Sequence, residues 1–155
     1  MAILLPTYSF QNFFVTITGP GGSFAIGGPD TGSADEGFTV EQADDSNTLT
    51  TGADGSGMNS LHATRTGTIA VHLLKTSPIN YKLSRMFTYQ RELSFNWGLN
   101  TVTARDIASG DQYTCSGVAF KRHANNVWAK IGNVLIWPFD VTVLDPNLGP
   151  GFINL

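Results

Sequence analysis

The chain has 155 residues, enough for one domain with a real core and too few for two. Charged residues make up 14%, against a typical ~25%, and Thr, Ser, Asn and Gly fill the gap. That composition fits either a surface that other subunits cover or a plain soluble β protein. A single cysteine, Cys115, excludes an intrachain disulfide, and its alternating surroundings (QYTCSGVAF) read as a small strand residue, not a nucleophile. No apolar run approaches the ~18 residues of a membrane span. Met1–Phe10 lacks a basic region ahead of its short apolar stretch, so no signal peptide is expected and the product is expected in the cytosol on synthesis.

Charge is unevenly spread. Seven acids and no base precede Arg65: Asp30, Asp35, Glu36, Glu41, Asp44, Asp45 and Asp54. From Arg65 onward there are nine bases and five acids, so a segment of −7 and one of +4 make up the net −3. An acidic half argues against a basic nucleic-acid reader. It suits a protein that binds copies of itself head to tail, unless folding interleaves the charges.

The first element in the chain is Tyr8–Thr18, aromatic and β-branched, expected as a strand. Gly19–Gly22 is a turn, and Ser23–Gly27 returns as the second arm of a hairpin. Residues 28–37 read as a loop by composition. Gly37–Ala43 alternates and is expected as a half-buried strand. Asn47–Thr51 reads as a short polar strand, followed by three glycines in six residues at Gly52–Gly57. The whole segment 44–59 looks too long for a tight hairpin. Met58–Leu74 gives two adjacent strand segments, Thr68–Leu74 the stronger.

One helix is expected over about 78–92, with Ser77 as N-cap and Pro78 as the first helical residue. Ile79, Leu83, Met86, Phe87 and Gln90 recur at helical spacing and place a stripe on a sheet face, with Lys82, Arg85 and Arg91 off it. Thr101–Ile107 and Gln112–Phe120 flank a Ser-Gly-Asp turn and make a hairpin. A last hairpin is expected from Val127–Ile131 and Val134–Leu144, with Pro138 at an edge or bulge. The tail from Asp145 carries two Pro and two Gly and ends in apolar residues, as if it docks on something. The expected fold is mainly β, a β-sandwich or open barrel of about nine strands with one helix laid across it.

Sites of chemistry are missing. Asp44, Asp45, Asn47 and Asp54 do not have the spacing of a calcium loop, and GADGSG lacks the Lys of a phosphate loop. Ser56 and Ser60 lie near His62 without a nucleophile elbow, and His72 and His123 stand apart from each other. No catalytic residue, cofactor or metal is expected, and the protein is not expected to be an enzyme.

Whole segments carry a resemblance. TLTTGADGSGMNSLHATRTGTIAVHLLKTSPIN resembles the central segment of tail tube proteins of contractile-tailed bacteriophages. TYSFQNFFVTITGPGGSFAIG resembles the first hairpin of that family, and YTCSGVAFKRHANNVWAKIGNVLIWPFDVTVLD its final hairpin and C-terminal strand. The likeness runs over roughly residues 7–145 and fits the ends less well. It implies a structural subunit of one domain over 1–155, with extended arms over 1–7 and 145–155. It implies hexameric rings whose sheets join into a barrel around a channel, and rings stacked into a tube as in type VI secretion inner tubes. The tube holds the tape measure protein and conducts DNA. The implied partners are further copies of the chain, tail sheath, tape measure, baseplate and tail terminator proteins; DNA passes without specific binding. Assembly in the host cytoplasm would place the product in the virion tail.

Residue assignments follow from that frame. A channel for DNA should not bind phosphate, and Glu41, on a strand in the segment without bases, is the candidate lumen-facing residue. Asp44, Asp45, Asn47, Asp54, Ser56 and Met58 are candidates for ring-to-ring contact, opposite Lys121, Arg122 and Lys130 of the next ring. Lys82, Arg85 and Arg91 are candidates to face the sheath. The alternative is a monomeric ligand- or carbohydrate-binding β-sandwich, with Trp97, Trp128 and Trp137 as a stacking platform.

Overall fold

In the computed structural model the described residues are 7–151. Nine strands and one long helix follow in order. They are β1 (Phe13–Gly19), β2 (Gly22–Gly27), β3 (Ser33–Gln42), β4 (Asn47–Thr51), β5 (Gly57–Leu61), β6 (Gly67–Leu74), α1 (Ile79–Glu92), β7 (Asn100–Asp106), β8 (Gln112–Phe120) and β9 (Val134–Asn147). Seven strands form one antiparallel sheet in the order β2-β1-β7-β8-β9-β6-β3, strongly curled into a half-barrel. β4 and β5 pair only with each other. The open-barrel form of the expected architecture is therefore the one adopted.

Period-two alternation decides which face is buried. Val15 and Ile17, Val102 and Ala104, Ile69, Val71 and Leu73, and Leu135, Trp137, Phe139 and Val141 all point to one side and are buried. The other side carries Thr16, Thr39, Thr68, Thr103, Ser116, Asp140 and Thr142, exposed or half-buried. The helix covers the apolar side. Ile79, Leu83, Met86 and Gln90 are its buried residues and Phe87 is half-buried, which is the stripe read from the sequence. Phe120 ties the layers together, in ring contact with Phe87, Trp137 and Phe139.

Two polar clamps set the helix across the sheet. Near its start, Asn80 Oδ1 accepts from Trp137 Nε1 at 3.0 Å. Near its end, Gln90 and Asn100 exchange amide hydrogen bonds at 2.6 and 3.0 Å, and Gln90 Nε2 also donates to the Pro20 carbonyl at 2.8 Å. Both amides are fully buried, so satisfaction of their polar atoms is required. Gly19 makes the fit possible: a Cβ there would lie 1.9 Å from Asn100 Oδ1. A second close approach marks the bend of the sheet. Gly117 takes φ +62° opposite Thr142, whose hydroxyl donates to its carbonyl at 3.0 Å.

Several boundaries differ from expectation. Phe10–Asn12 form a 3₁₀ turn capped by the Ser9 hydroxyl, so the first strand starts at Phe13 and not Tyr8. β3 starts at Ser33 inside the expected loop, with a break in register before Phe38. Pro78, not Ser77, holds the helix cap position, although the Ser77 hydroxyl still accepts from the Ile79 N–H at 3.3 Å. Val127–Ile131 is not a strand; 121–133 is an irregular loop. Asp145–Asn147, placed in the expected C-terminal arm, pair with β8. Most of the expected N-terminal arm and residues 152–155 lie outside the described residues.

Pro138 is also not at an edge, because β9 runs between β8 and β6. Its carbonyl accepts from Lys121 N at 3.0 Å, so its ring nitrogen faces the same side, where β8 has just ended at Phe120. No ladder bond to β6 is lost. A proline is tolerated mid-strand where the neighbouring strand stops.

Two predictions follow from this core. Gln90→Leu strands the Asn100 amide and the Pro20 carbonyl, which costs about 2 kcal/mol. At this chain length that lowers Tm by about 4–8 °C in calorimetry, and an unchanged Tm would refute the clamp. Burial pushes the Cys115 thiol up to about 11, because the thiolate is desolvated. Native protein at pH 8 should resist a thiol alkylating agent that labels it fully after denaturation; rapid native labelling would contradict this placement.

Candidate assembly surfaces

Strand register sorts the molecule into two ends. Phe13, Asp106, Gln112 and Asn147 lie together at one end, and Gly19–Gly22, Asn100, Phe120, Val134 and Leu74 at the other. The β4–β5 hairpin leaves the sheet beyond Gln42 and Gly67, in the direction of the first end.

The hairpin stands free. All its residues are exposed except Ser60, which is half-buried, and Leu49, Met58 and Leu61 are exposed apolar side chains. A lone two-stranded hairpin is marginal in water, so local bonds must hold it. Asn47 Nδ2 donates to Asn59 Oδ1 at 3.1 Å, and Thr48 Oγ1 bonds His62 Nε2 at 2.6 Å. In the turn, Gly52 N donates to Ser56 O at 2.7 Å, and Gly55 takes φ +88°. Asp54 Oδ1 accepts from both the Ser56 hydroxyl, at 2.6 Å, and the Ser56 N–H, at 3.1 Å, which lowers the Asp54 pKa from its ordinary 3.8. Register pairs Leu49 with Asn59 and Asn47 with Leu61 on one face, and Met58 with Thr50 on the other. The expectation that 44–59 is too long for a tight hairpin is thus corrected: glycines and an Asx-type turn close it.

Charge follows the two ends. The hairpin end carries Asp44, Asp45, Asp54, Asp106, Asp111 and Asp145, with Arg65 and Arg105 among them. The opposite end carries Lys75, Arg91, Lys121, Arg122 and Lys130, with Asp30 and Glu92 among them. The acidic end draws on both halves of the sequence. Asp106 and Asp111 are partly engaged there, accepting from Ala108 N at 3.0 Å and Gly149 N at 2.9 Å.

At the basic end a groove of about 660 Å³ opens between the helix and the start of the 121–133 loop. Phe87, Trp97 and His123 form its floor, with Phe87 edge-on to Trp97 at 5.8 Å and to His123 at 5.6 Å. Arg91, Lys121 and Arg122 line it with charge. His123 Nδ1 meets the Ala124 carbonyl at 3.0 Å, so that nitrogen carries a proton, and Nε2 bonds Ser84 Oγ at 3.1 Å. Further along the loop, Lys75 Nζ donates to Val127 O at 2.7 Å, to Asn133 Oδ1 at 3.3 Å and to Asn126 Oδ1, and lies 4.7 Å from the Trp128 ring centre. That one cation fixes a loop presenting Val127, Trp128 and Ile131 to solvent.

The polar outer face of the sheet holds Glu41. It pairs with Thr68, which on its other side pairs with Asp140, so two carboxylates flank one threonine on that face. Glu41 also shares a groove with Lys121 and Arg122 of its own chain. Asp140 was not singled out in the sequence; the alternation of Phe139, Asp140 and Val141 is the signal that places it on the face. Trp97 was named only for a tryptophan platform; its groove with Phe87 and His123 was missed, because the helix, the segment after it and the 121–133 loop meet only in the fold.

The structure places Asn47, Asp54, Ser56 and Met58 on the hairpin, Asp44 and Asp45 in the bend at its base, and Lys121, Arg122 and Lys130 on the opposite end. Asn47, Asp54 and Ser56 bond within the hairpin, and Asp44 Oδ2 accepts from Thr66 Oγ1 at 3.4 Å. Lys82, Arg85 and Arg91 are exposed on the helix. The tryptophan platform does not exist: Trp137 is 0% exposed in the core, while Trp97 is 36% and Trp128 82% exposed on separate loops. Among the described residues, no three His, Cys, Asp or Glu side chains are placed to hold a metal, and no helix is long and apolar enough to cross a membrane.

Free apolar side chains on a prefolded arm, unlike charge at the two ends and a polar sheet face make a surface for assembly. A family model described as "Bacteriophage PhiTE tail tube protein" matches residues 5–149. The chain belongs to this family. It is a family of structural proteins and not of enzymes, and membership makes this tail tube protein a component of the virion tail. The fold is similar to two solved chains. One, from a cryo-EM structure of the anti-feeding prophage tube-terminating cap, is 7% identical, with a TM-score of 0.53 over 96% of this chain and 95% of that one. The other, from the six-fold symmetrised anti-feeding prophage baseplate, is 14% identical, with a TM-score of 0.52 over 94% of each. Comparison with curated protein sequences finds no match.

The Asp54 turn gives a pH test. A depressed carboxylate pKa means that the stabilisation is full above 3.8 and is lost as pH falls through the lower folded value. Followed by NMR from pH 6 downward, the Ser56 amide should titrate with a midpoint below 3.8; a midpoint at or above it would remove the Asp54 contact.

Proposed function

We propose that this tail tube protein is the repeating subunit of the tube itself, stacking as hexameric rings around a central channel. The β4–β5 hairpin carries the proposal: it is an arm with exposed Leu49, Met58 and Leu61, and among the described residues no strand of the main sheet pairs with it. In stacked rings it would reach the next ring, with Asp44, Asp45 and Asp54 meeting Lys121, Arg122 or Lys130. Opposite charge at the two ends steers such an approach and rejects the inverted one.

The outer face of the sheet would line the channel, with Glu41 and Asp140 directed toward the lumen. Threonine, serine and carboxylate side chains neutralise no phosphate charge, so DNA passes without specific binding. The channel would hold the tape measure protein before DNA is ejected. The helix would lie outside, with Lys82, Arg85 and Arg91 facing the sheath, and baseplate and terminator proteins would meet the two ends of the tube. Assembly would take place in the host cytoplasm.

Electron microscopy of the purified protein tests this: rings or tubes are expected, and a species that stays monomeric on a sizing column at high concentration would overturn it. Reversing charge at both Asp44 and Asp45 should shorten tubes at low salt, where exposed charges are least screened. Tubes of unchanged length would remove these two residues from the contact.

A further inference from the structure

Resting on the ring-stacking reading, we infer that the aromatic groove at the basic end is the socket for the hairpin tip of a second copy: Met58 seats on Phe87 and Trp97, and Asp54 meets Lys121 and Arg122. The groove is apolar at its floor and cationic at its rim, and among the described residues no acidic side chain lines it. Its chemistry therefore asks for a partner segment with an apolar group beside an anion. The hairpin tip is such a segment. Met58 is 60% exposed, next to the Gly52–Ser56 turn that holds Asp54. A thioether packs well against aromatic faces and edges, and adapts to an irregular pocket. Ser56 fixes Asp54 in the turn through Oδ1 alone, and Oδ2 stays available to a cation.

The hairpin cannot serve its own chain's groove. It projects beyond Gln42 and Gly67 toward the Asp106–Gln112 turn, while the groove lies beyond Asn100 and Phe120 at the opposite end of the same strands. Donor and acceptor at opposite ends make a contact that repeats from one copy to the next.

Cross-linking in tubes of the purified full chain tests the pairing. The double variant Met58→Cys with Ser94→Cys places one thiol on the hairpin and one on the groove wall, and Cys115 stays buried. A short bis-maleimide should give a ladder of covalent dimers and higher oligomers in the double variant, and none in either single variant. Tubes without the ladder would overturn the socket while leaving ring stacking intact. Failure of the unmodified protein to form tubes would overturn stacking, and the socket with it. In whole tails, cross-linking of Ser94→Cys to a different tail protein would assign the groove to that protein and also overturn the socket. Met58→Glu should raise the concentration needed for tube formation at least about tenfold with Tm unchanged, since Met58 lies on a free arm; no change in that concentration counts against the socket.

Discussion

The exchange of amide hydrogen bonds between Gln90 and Asn100 is the interaction on which the rest of the architecture depends. It joins the last turns of the helix to the start of β7 and, through the Pro20 carbonyl, to the β1–β2 turn. Neither amide reaches water, so the two can be buried only together, and only in one relative position. That position decides where Phe87 and Arg91, a few residues to either side, come to stand. It leaves Phe87 in contact with Trp97, Phe120 and His123, and thereby shapes the groove at the basic end. Apolar packing of Ile79, Leu83 and Met86 gives the helix its affinity for the sheet; the amide pair gives it an address.

Curling is the second determinant. A seven-stranded antiparallel sheet that bends over one apolar face leaves the opposite face largely polar, with Phe14, Leu74 and Ile136 as exposed apolar exceptions, and that face is continuous from β1 to β3. Residues as distant in sequence as Glu41 and Asp140 become near neighbours there because β6 lies between their strands. The same strand directions carry Asp106, Asp111 and Asp145 to the end where the hairpin emerges, so the acidic end is a property of topology more than of the acidic N-terminal half.

How much of this the sequence disclosed depends on the range of the interaction concerned. The helix stripe, Ser23–Gly27, Asn47–Thr51, Thr68–Leu74 and the Ser109–Asp111 turn were legible because each is written in local periodicity or turn chemistry. The family was legible through whole segments. Val127–Ile131 was misread as a strand because its apolar residues alternate; in the fold they are held open to solvent by Lys75, fifty residues upstream in the chain, which no local pattern announces. Pro138 was sent to an edge because its tolerance rests on where a different strand ends. The hairpin closure was missed because length was weighed above the Asp54–Ser56 bonds that fold the turn. Trp137 was offered as a surface ring because nothing within β9 says which neighbour will cover it.

The separation of the free hairpin from the groove has a consequence for growth. A contact between unlike ends is never self-closing along its axis: each added layer regenerates the surface that the previous one consumed. Such a polymer has direction. In a tube built through the proposed socket, one terminus would display a crown of unspent acidic arms and the other a ring of empty basic sockets, and any protein that must start or stop the filament could tell the two apart. Nothing in the subunit contact counts layers, so length has to be dictated by a ruler or a stopper that is not the subunit itself.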